Sequence, residues 1–144
     1  MVDKDATALI DRFARVYSDM DKDNVSVIAD IYHDDVIFED PVHRIEGLSA
    51  LMAYFERLFK SVDECQFQIH ESISRDDVAY LQWTMLFSHS KLFHGRLQKV
   101  VGCSRIQFSG EKVIQHRDYF DMGQMIYEGI PFVGALIRKL KSQV

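Results

Sequence analysis

The period of the hydrophobic pattern changes near the middle of the chain, and this change constrains the fold most. Before residue 60, apolar residues recur at three- and four-residue steps, as in helices that bury one stripe. From Glu64 onward, apolar and polar residues alternate, which is typical of strands with one buried face. The sequence therefore predicts a helical first half followed by an antiparallel sheet.

The pattern also predicts the individual elements. Helices are expected over 5–20, from Asn24 as N-cap to the HDD at 33–35, and over 48–60, with a short strand over 36–39. Long strands are expected from residue 64 to a turn at 75–77, around 81–87, over 97–108 and over 112–120. In the first of them, Phe67, Ile69, Glu71 and Ile73 are predicted to share one face. An amphipathic helix with the stripe Val133, Leu136, Ile137 and Leu140 ends the chain and is expected to pack on the sheet or the pocket mouth.

Helices followed by a meander of strands are typical of an α+β domain in which the helices cover one face of a curved sheet. The 144 residues, 47% of them hydrophobic, fit a single soluble domain over 1–144 with one core. We therefore expect a cone-shaped curved antiparallel sheet, with the N-terminal helices on its concave face and a cavity inside.

Charge and apolar content exclude several classes of partner. A formal charge of -5, from 22 acidic and 17 basic residues, argues against general affinity for nucleic acid. No uncharged apolar stretch is long enough to span a bilayer, so no membrane partner is expected. The N-terminus is mixed and acidic, unlike a secretion signal, and only Cys65 and Cys103 are present. These features predict a reduced, cytoplasmic protein.

Three polar residues are candidates for chemistry. His116 and Asp118 are two residues apart on a predicted strand, so their side chains share a face with Cα atoms about 7 Å apart. Asp40 follows the short strand on the helical side. A histidine with two carboxylates in an apolar cone suits proton transfer near neutral pH. The alternative is that His116 and Asp118 bond each other, Arg117 or the backbone and only satisfy a polar spot.

Three stretches of the chain match the pattern of a known family. They are residues 32–42, which read YHDDVIFEDPV, Gly47 with the helix after it, and residues 116–121, which read HRDYFD. On these stretches, the chain resembles the nuclear-transport-factor-2-like superfamily, in its SnoaL-like and ketosteroid-isomerase-like branch. The resemblance implies a cystatin-like roll over nearly the whole chain.

The resemblance also implies roles for single residues. Asp40 matches the general base of ketosteroid isomerases, which removes a proton next to a carbonyl. Phe13 stands where those enzymes carry a tyrosine donor, and Tyr17 follows one turn later. Asp118 matches a strand aspartate of limonene epoxide hydrolases that helps to position and activate water. The arginine and second aspartate of those enzymes are replaced, because the neighbouring strand reads QWTM at 82–85.

Four aromatic residues are expected to line the pocket, and each has a structural alternative. Phe13, Tyr17, Tyr32 and Trp83 are the predicted ligand-binding residues, although all four also suit an aromatic core. No metal is expected, since the acidic run at 19–30 lacks the glycine and glutamate of a calcium loop. His89 and His94 also lack a clustered third ligand, and no cofactor is expected.

Two functions follow from these observations. The first is a cofactor-independent acid–base isomerase or hydrolase acting on a compact, apolar small molecule. In it, Asp40 is the base, and His116 and Asp118 are the acid or position water. The alternative is a non-catalytic ligand-binding or assembly module of the same fold. In both cases the resemblance implies a homodimer through the outer face of the sheet, burying Gln82, Thr84, Gln115, Arg117 and Tyr119.

Overall fold

The computed structural model describes residues 4–144; Met1–Asp3, where the predicted domain begins, lie outside the described residues. The helices are α1 (Lys4–Asp19), α2 (Leu48–Ser61), α3 (Met122–Met125) and α4 (Val133–Lys141). Short 3₁₀ segments cover Val25–Asp30, Phe93–Gly95 and Tyr127–Gly129. The strands are β1 (Tyr32–Glu39), β2 (Arg44–Glu46), β3 (Glu64–Arg75), β4 (Val78–Ser88), β5 (Gln98–Ser109) and β6 (Lys112–Phe120).

All six strands form one sheet in the order β2-β1-β6-β5-β4-β3. Strands β3 to β6 form an antiparallel meander, as predicted, and β2 pairs with β1 as an antiparallel hairpin. Strand β1, however, pairs with β6 in parallel, so the sheet is mixed rather than wholly antiparallel. The sequence pattern does not reveal this pairing, because alternation reports which face is buried and not the direction of the neighbouring strand.

The helices α1 and α2 pack on the concave face of the curved sheet, where α1 contacts β3 and α2 contacts β1. The predicted stripe of α1 is buried at Ile10, Phe13, Tyr17 and Met20, and that of α2 at Leu51, Phe55 and Phe59. The inner residues of the strands complete this core, among them Phe38, Leu81, Ile106 and Val113. The predicted α+β cone fold is thereby confirmed.

The second predicted helix is shorter than expected and ends earlier. It is the 3₁₀ segment Val25–Asp30, and Tyr32 already begins β1. Asn24 does not cap it through its side chain. Instead, the Asn24 side chain accepts from the Asp21 amide at 2.6 Å and donates to the Asp19 carbonyl at 2.9 Å. The Asn24 side chain therefore connects the preceding turn to the end of α1. Residues 19–24 form a turn that is closed by hydrogen bonds among its own residues.

A bulge in β3 changes which residues face the core. The register shifts between Ile69 and Glu71, so Glu71 pairs with Gln82 and Ile73 pairs with Tyr80 on the convex face. Ile73 is consequently 69% exposed instead of sharing the inner face with Phe67 and Ile69. One extra residue inverts the facing of every residue after it, which a period-2 reading cannot detect.

Helix α4 forms where predicted, but its apolar stripe does not pack on the sheet. Leu136 and Leu140 are more than half exposed. Helix α4 packs instead on the last 3₁₀ segment, most closely at Gly134, where a Cβ would overlap the Glu128 carbonyl. Over residues 4–144, no helix is long and apolar enough to cross a membrane.

Candidate active site

A chain of hydrogen bonds runs through the core beneath α1. The imidazole of His116, which is 2% exposed, lies on the inner face of β6. Its Nδ1 is 2.6 Å from the Tyr32 hydroxyl, and its Nε2 is 2.6 Å from Oδ1 of Asp118. The Tyr32 hydroxyl also bonds the hydroxyl of Tyr17, from α1. The two residues that share a face on β6 are therefore joined to both tyrosines.

At the Trp83 end of this series of hydrogen bonds, the donor and the acceptor of each bond can be assigned. The indole Nε1–H of Trp83 donates to Oγ of Ser104 at 2.8 Å, and the Ser104 hydroxyl donates to Asp118. An indole N–H can only donate, so the hydrogen of Ser104 is left for the carboxylate. Asp118 then accepts from Nε2–H of His116 as well. We call these six residues the buried network: Tyr17, Tyr32, Trp83, Ser104, His116 and Asp118.

Burial keeps the tyrosines of the buried network protonated. Loss of hydration raises the pKa of Tyr17 and Tyr32 well above the ordinary tyrosine value, and the charge of Asp118 acts in the same direction. Both hydroxyls therefore keep their hydrogens, and the Tyr32 hydroxyl bonds both the Tyr17 hydroxyl and Nδ1 of His116. Aromatic rings enclose the imidazole, with the centroids of Phe13 and Phe38 at 5.7 and 4.7 Å. The partners thus hold His116 in one orientation.

Asp40 lies outside this network, in the turn between β1 and β2. Its Oδ1 accepts from the backbone amides of Val42 and His43 at 2.7 and 2.6 Å, an Asx-type turn. Its Oδ2 accepts from the Tyr54 hydroxyl of α2 at 3.1 Å, and the His43 imidazole is also 3.1 Å away. The Asp40 side chain is only 4% exposed. One carboxylate oxygen therefore holds the turn, and the other faces Tyr54.

A cavity of about 300 Å³ opens beside Asp40, between the β1–β2 turn, α2 and α3, and we call it the mouth cavity. Its polar lining includes Asp40, His43 and Tyr54, and its apolar lining is Val42, Leu58, Phe120, Met122, Met125 and Ile126. A second cavity of about 220 Å³ shares Leu58, Met125 and Ile126 and extends toward Met85 and Phe87. This shape, apolar with a few convergent polar groups, is that of small-molecule sites.

The charges of Asp40 and Asp118 both act on the Tyr54 hydroxyl in the mouth cavity. Burial raises the pKa of this hydroxyl first, followed by the charge of Asp40 and its hydrogen bond to Asp40. The charge of Asp118 raises it further, so both carboxylates act on this hydroxyl. Asp118 is also the more accessible partner of its pair, with 17% of the side chain exposed against 1% for His116. The carboxylate of Asp118 therefore forms the outward end of the network.

The predicted site residues thus fall into two groups. Asp40 lines the mouth cavity, whereas His116 and Asp118 lie together in the buried network. Of the four predicted ligand-binding residues, Tyr17, Tyr32 and Trp83 belong to that network, and Phe13 packs beside it, stacked on Tyr17 at 4.7 Å. All four are at most 6% exposed. The structure therefore brings the histidine and one acid together and sets the other acid at the mouth.

Sequence reasoning missed Tyr54, His43 and the role of Ser104. A polar-tipped residue on the apolar stripe of α2 was the available signal for Tyr54, and the D-P-x-H spacing of an Asx turn was the signal for His43. Across the described residues 4–144, no group of three or more histidine, cysteine, aspartate or glutamate side chains is placed to hold a metal ion.

Comparison with known families decides the class of the chain. The SnoaL-like domain pattern matches residues 12–116, from the second half of α1 to the middle of β6. The chain belongs to the SnoaL-like family. No curated protein sequence matches it.

Several solved structures share the fold of the SnoaL-like protein. A candidate SnoaL-like polyketide cyclase from Jannaschia sp. CCS1 is 14% identical, with a TM-score of 0.73 over 85% of this chain and 91% of the other. A protein of ketosteroid-isomerase-like fold from Catenulispora acidiphila, in complex with trimethylamine, is 10% identical, with a TM-score of 0.72 over 85% and 93%. A nuclear-transport-factor-2-like protein of unknown function from Burkholderia pseudomallei is 12% identical, with a TM-score of 0.73 over 85% and 95%. At these identities the likeness concerns the fold.

Proposed function

We propose that this SnoaL-like protein catalyses a cofactor-independent acid–base reaction, an isomerisation or hydrolysis, on a compact and mostly apolar molecule held in the mouth cavity. The observation that carries the proposal is the position of Asp40. A carboxylate that is 4% exposed, beside a buried hydroxyl in an apolar cavity, is a suitable base for a carbon acid.

In the proposed reaction, Oδ2 of Asp40 takes the proton next to a substrate carbonyl, since Oδ1 is engaged by the turn. The Tyr54 hydroxyl, which stays protonated, turns from Oδ2 toward the developing oxyanion. Asp118 does not line the mouth cavity, and its bonds to His116 and Ser104 fix its orientation in the buried network. Its proposed role is to position a water molecule for the reaction, as the family resemblance implies.

Exchange of α-protons for deuterium tests this proposal without knowledge of the product. The protein is incubated in D₂O with a panel of compact ketones, cyclic enones and lactones, and loss of the α-proton signal is followed by NMR. For Asp40→Asn we expect a loss of about 10²–10⁴-fold in the exchange rate. An asparagine oxygen can still accept the two turn amides, so the fold should survive.

Asp35→Asn is the matched control, because that carboxylate is 87% exposed and lies outside the mouth cavity. It removes the same charge and should leave exchange unchanged. Undiminished exchange in Asp40→Asn would show that Asp40 is not the base.

A non-catalytic binding module is the second candidate, and the packing of the cone interior favours it. Phe13 and Trp83 are buried where a substrate would otherwise extend, and the polar atoms of the buried network bond to one another. This alternative predicts that compact apolar ligands shift the methyl NMR signals of Met125 and Ile126 while no carbonyl compound exchanges its α-proton. Exchange that depends on Asp40 would exclude it.

We further propose that the protein forms a homodimer through the convex face of the sheet. Ile73, Tyr80, Val101 and Tyr119 are all at least 43% exposed on this face. Thr84, which was predicted to join this interface, is already buried beneath His70, whose Nε2 lies 2.8 Å from its Oγ1. Ile73→Lys should therefore convert a dimer to a monomer in light scattering. A monomeric mass for the unmodified chain at micromolar concentration would contradict the proposal.

A cytoplasmic location is part of the same proposal. Cys65 pairs with Phe87 on the inner face of the sheet, and Cys103 pairs with Gln82 on the outer face. Both are free thiols, and their placement prevents a disulfide between them. This arrangement suits a reducing compartment.

A further inference from the structure

A cleft lined by cationic side chains lies beside residues 128–131, in the segment that also contributes Met122, Met125 and Ile126 to the mouth cavity. It has a volume of about 400 Å³ and lies between the β4–β5 loop and the 3₁₀ segment Tyr127–Gly129. Lys91, Arg96 and Arg138 line it together with His94, and Glu128 is its one acidic lining residue. Three permanent positive charges thus face a concave surface in a chain whose formal charge is -5. We call this feature the basic cleft.

The two walls of the basic cleft are held together by close packing. The ring of Phe93 lies against Gly129, where any Cβ would overlap the ring atoms. Phe93 adopts a positive φ of 51°, and His94 and Gly95 also have positive φ values. The loop therefore bends sharply to place Phe93 on Gly129, and this contact fixes the cations of the loop opposite Arg138.

Both guanidinium groups are anchored and still have donors to offer. Arg138 donates from Nη1 to the Glu128 carbonyl at 2.9 Å, and Arg96 donates from Nε to the Phe93 carbonyl at 3.2 Å. A guanidinium carries five N–H donors in a planar fork, so one anchoring bond orients the fork without consuming it. An anchored fork suits bidentate recognition of an oxyanion.

The acidic residue of the basic cleft is compensated from outside it. The Glu128 carboxylate accepts from Nζ of Lys141 at 3.1 Å, and this hydrogen bond raises the pKa of Lys141. Lys141 therefore stays charged, and its ammonium is shared between Glu128 and Asp121, which lies 3.3 Å from the same Nζ. The three cations of the lining thus face one carboxylate, and that carboxylate is already paired outside the cleft.

We propose that the basic cleft is a binding site for an oxyanion, the phosphate or carboxylate group of a small molecule. The combination of three cations, two anchored guanidinium forks and a defined concavity carries this inference. It does not depend on acid–base chemistry at Asp40, because the basic cleft and the mouth cavity are lined by different residues.

Titration with inorganic pyrophosphate and, separately, with succinate tests the site. Binding is followed by ¹H–¹⁵N NMR at low ionic strength, through the amides of Lys91, Arg96 and Gly129. Saturable shifts confined to the cleft with either anion support the proposal, and which anion binds more tightly distinguishes a phosphate from a carboxylate site. Added salt should weaken binding, since the charges are partly exposed.

Charge-matched variants separate a site from general attraction. Lys91→Gln with Arg96→Gln removes two cleft charges and should weaken binding at least tenfold. Arg75→Gln with Lys99→Gln removes the same two charge types from residues outside the cleft and should leave binding within twofold. If the NMR signal of the Gly129 amide in the ligand-free double variant differs from that of the unmodified protein, the single variant Lys91→Gln is used in place of the double variant. Its binding should be weaker by about threefold. No saturable binding, or equal weakening in both variants, would overturn the proposal.

Discussion

Removing the Tyr32 hydroxyl is the most direct test of the buried network. Tyr32 is fully buried, and its hydroxyl joins the Tyr17 hydroxyl to Nδ1 of His116, the latter at 2.6 Å. Tyr32→Phe keeps the ring and its packing but leaves two buried polar groups without a partner. An unsatisfied buried group costs about 1–3 kcal/mol. The free energy of unfolding should therefore fall by roughly 2–6 kcal/mol, twice the cost of one such group.

Tyr17→Phe is the matched comparison, because Tyr17 is the terminal hydroxyl of the same chain of bonds. After this change the Tyr32 hydroxyl still bonds Nδ1 of His116, so only one hydrogen bond is lost, worth about 1 kcal/mol. In the double variant, the Tyr17 hydroxyl is no longer present to be left unpaired. The two changes should therefore cost less together than the sum of the single costs, by about 1–3 kcal/mol, the cost of one unsatisfied group.

Urea unfolding followed by the fluorescence of Trp83 gives the three free energies, provided that the slope with denaturant is the same in all variants. The order of the single variants is the decisive result. If Tyr17→Phe costs as much as Tyr32→Phe, or if the two costs add exactly within error, the tyrosines do not form one chain ending at His116.

Three further predictions concern packing, reactivity and pH. Gly102→Ala should destabilise the protein by about 1–3 kcal/mol and change its near-ultraviolet circular dichroism, because a Cβ there overlaps the ring of Trp83. Burial raises the pKa of the Cys65 thiol to about 12. In a variant with Cys103 replaced by serine, Cys65 of the folded protein should therefore react with a disulfide reagent at pH 8 on the order of a thousandfold more slowly than Cys65 of the unfolded chain. The amide of Gln124 lowers the pKa of Asp121, so this cap should persist above the unfolded value of about 3.9 and be lost as pH falls through the lower folded value. The NMR shift of the Gln124 amide against pH measures this loss, which Asp121→Asn should abolish.

The helices and the meander were predictable because each buries one continuous face. In α1, the periodic stripe from Ile10 to Met20 is also the buried stripe of the structure. The alternation along β4 likewise identifies Leu81 and Trp83 as inner residues. In these elements local pattern and global burial agree, so period alone was sufficient.

The features of the fold and of the site that the pattern did not predict depend on single residues or on contacts between segments distant in sequence. The bulge in β3 and its exposure of Ile73 arise from one inserted position. The parallel pairing of β1 with β6 joins segments about 80 residues apart and has no local signature. Pairing of His116 with Asp118 followed from their spacing, whereas the position of Tyr54 over Asp40 depends on how α2 docks on β1.

On the family resemblance, Phe13 stands where ketosteroid isomerases carry a tyrosine donor. This replacement explains why the proposed chemistry is placed at the mouth cavity. An oxyanion donor must direct its hydrogen into the cavity that holds the substrate. The Phe13 side chain has no hydrogen-bond donor, and the Tyr17 hydroxyl is bonded to the Tyr32 hydroxyl within the buried network. Tyr54 is a donor that shares a cavity with Asp40, since its hydroxyl lies 3.1 Å from Oδ2 and both residues line the mouth cavity. A base and a donor in this position fit a substrate that enters only the mouth of the cone, while the deeper network fixes the orientation of Asp118 and does not contact the substrate carbonyl.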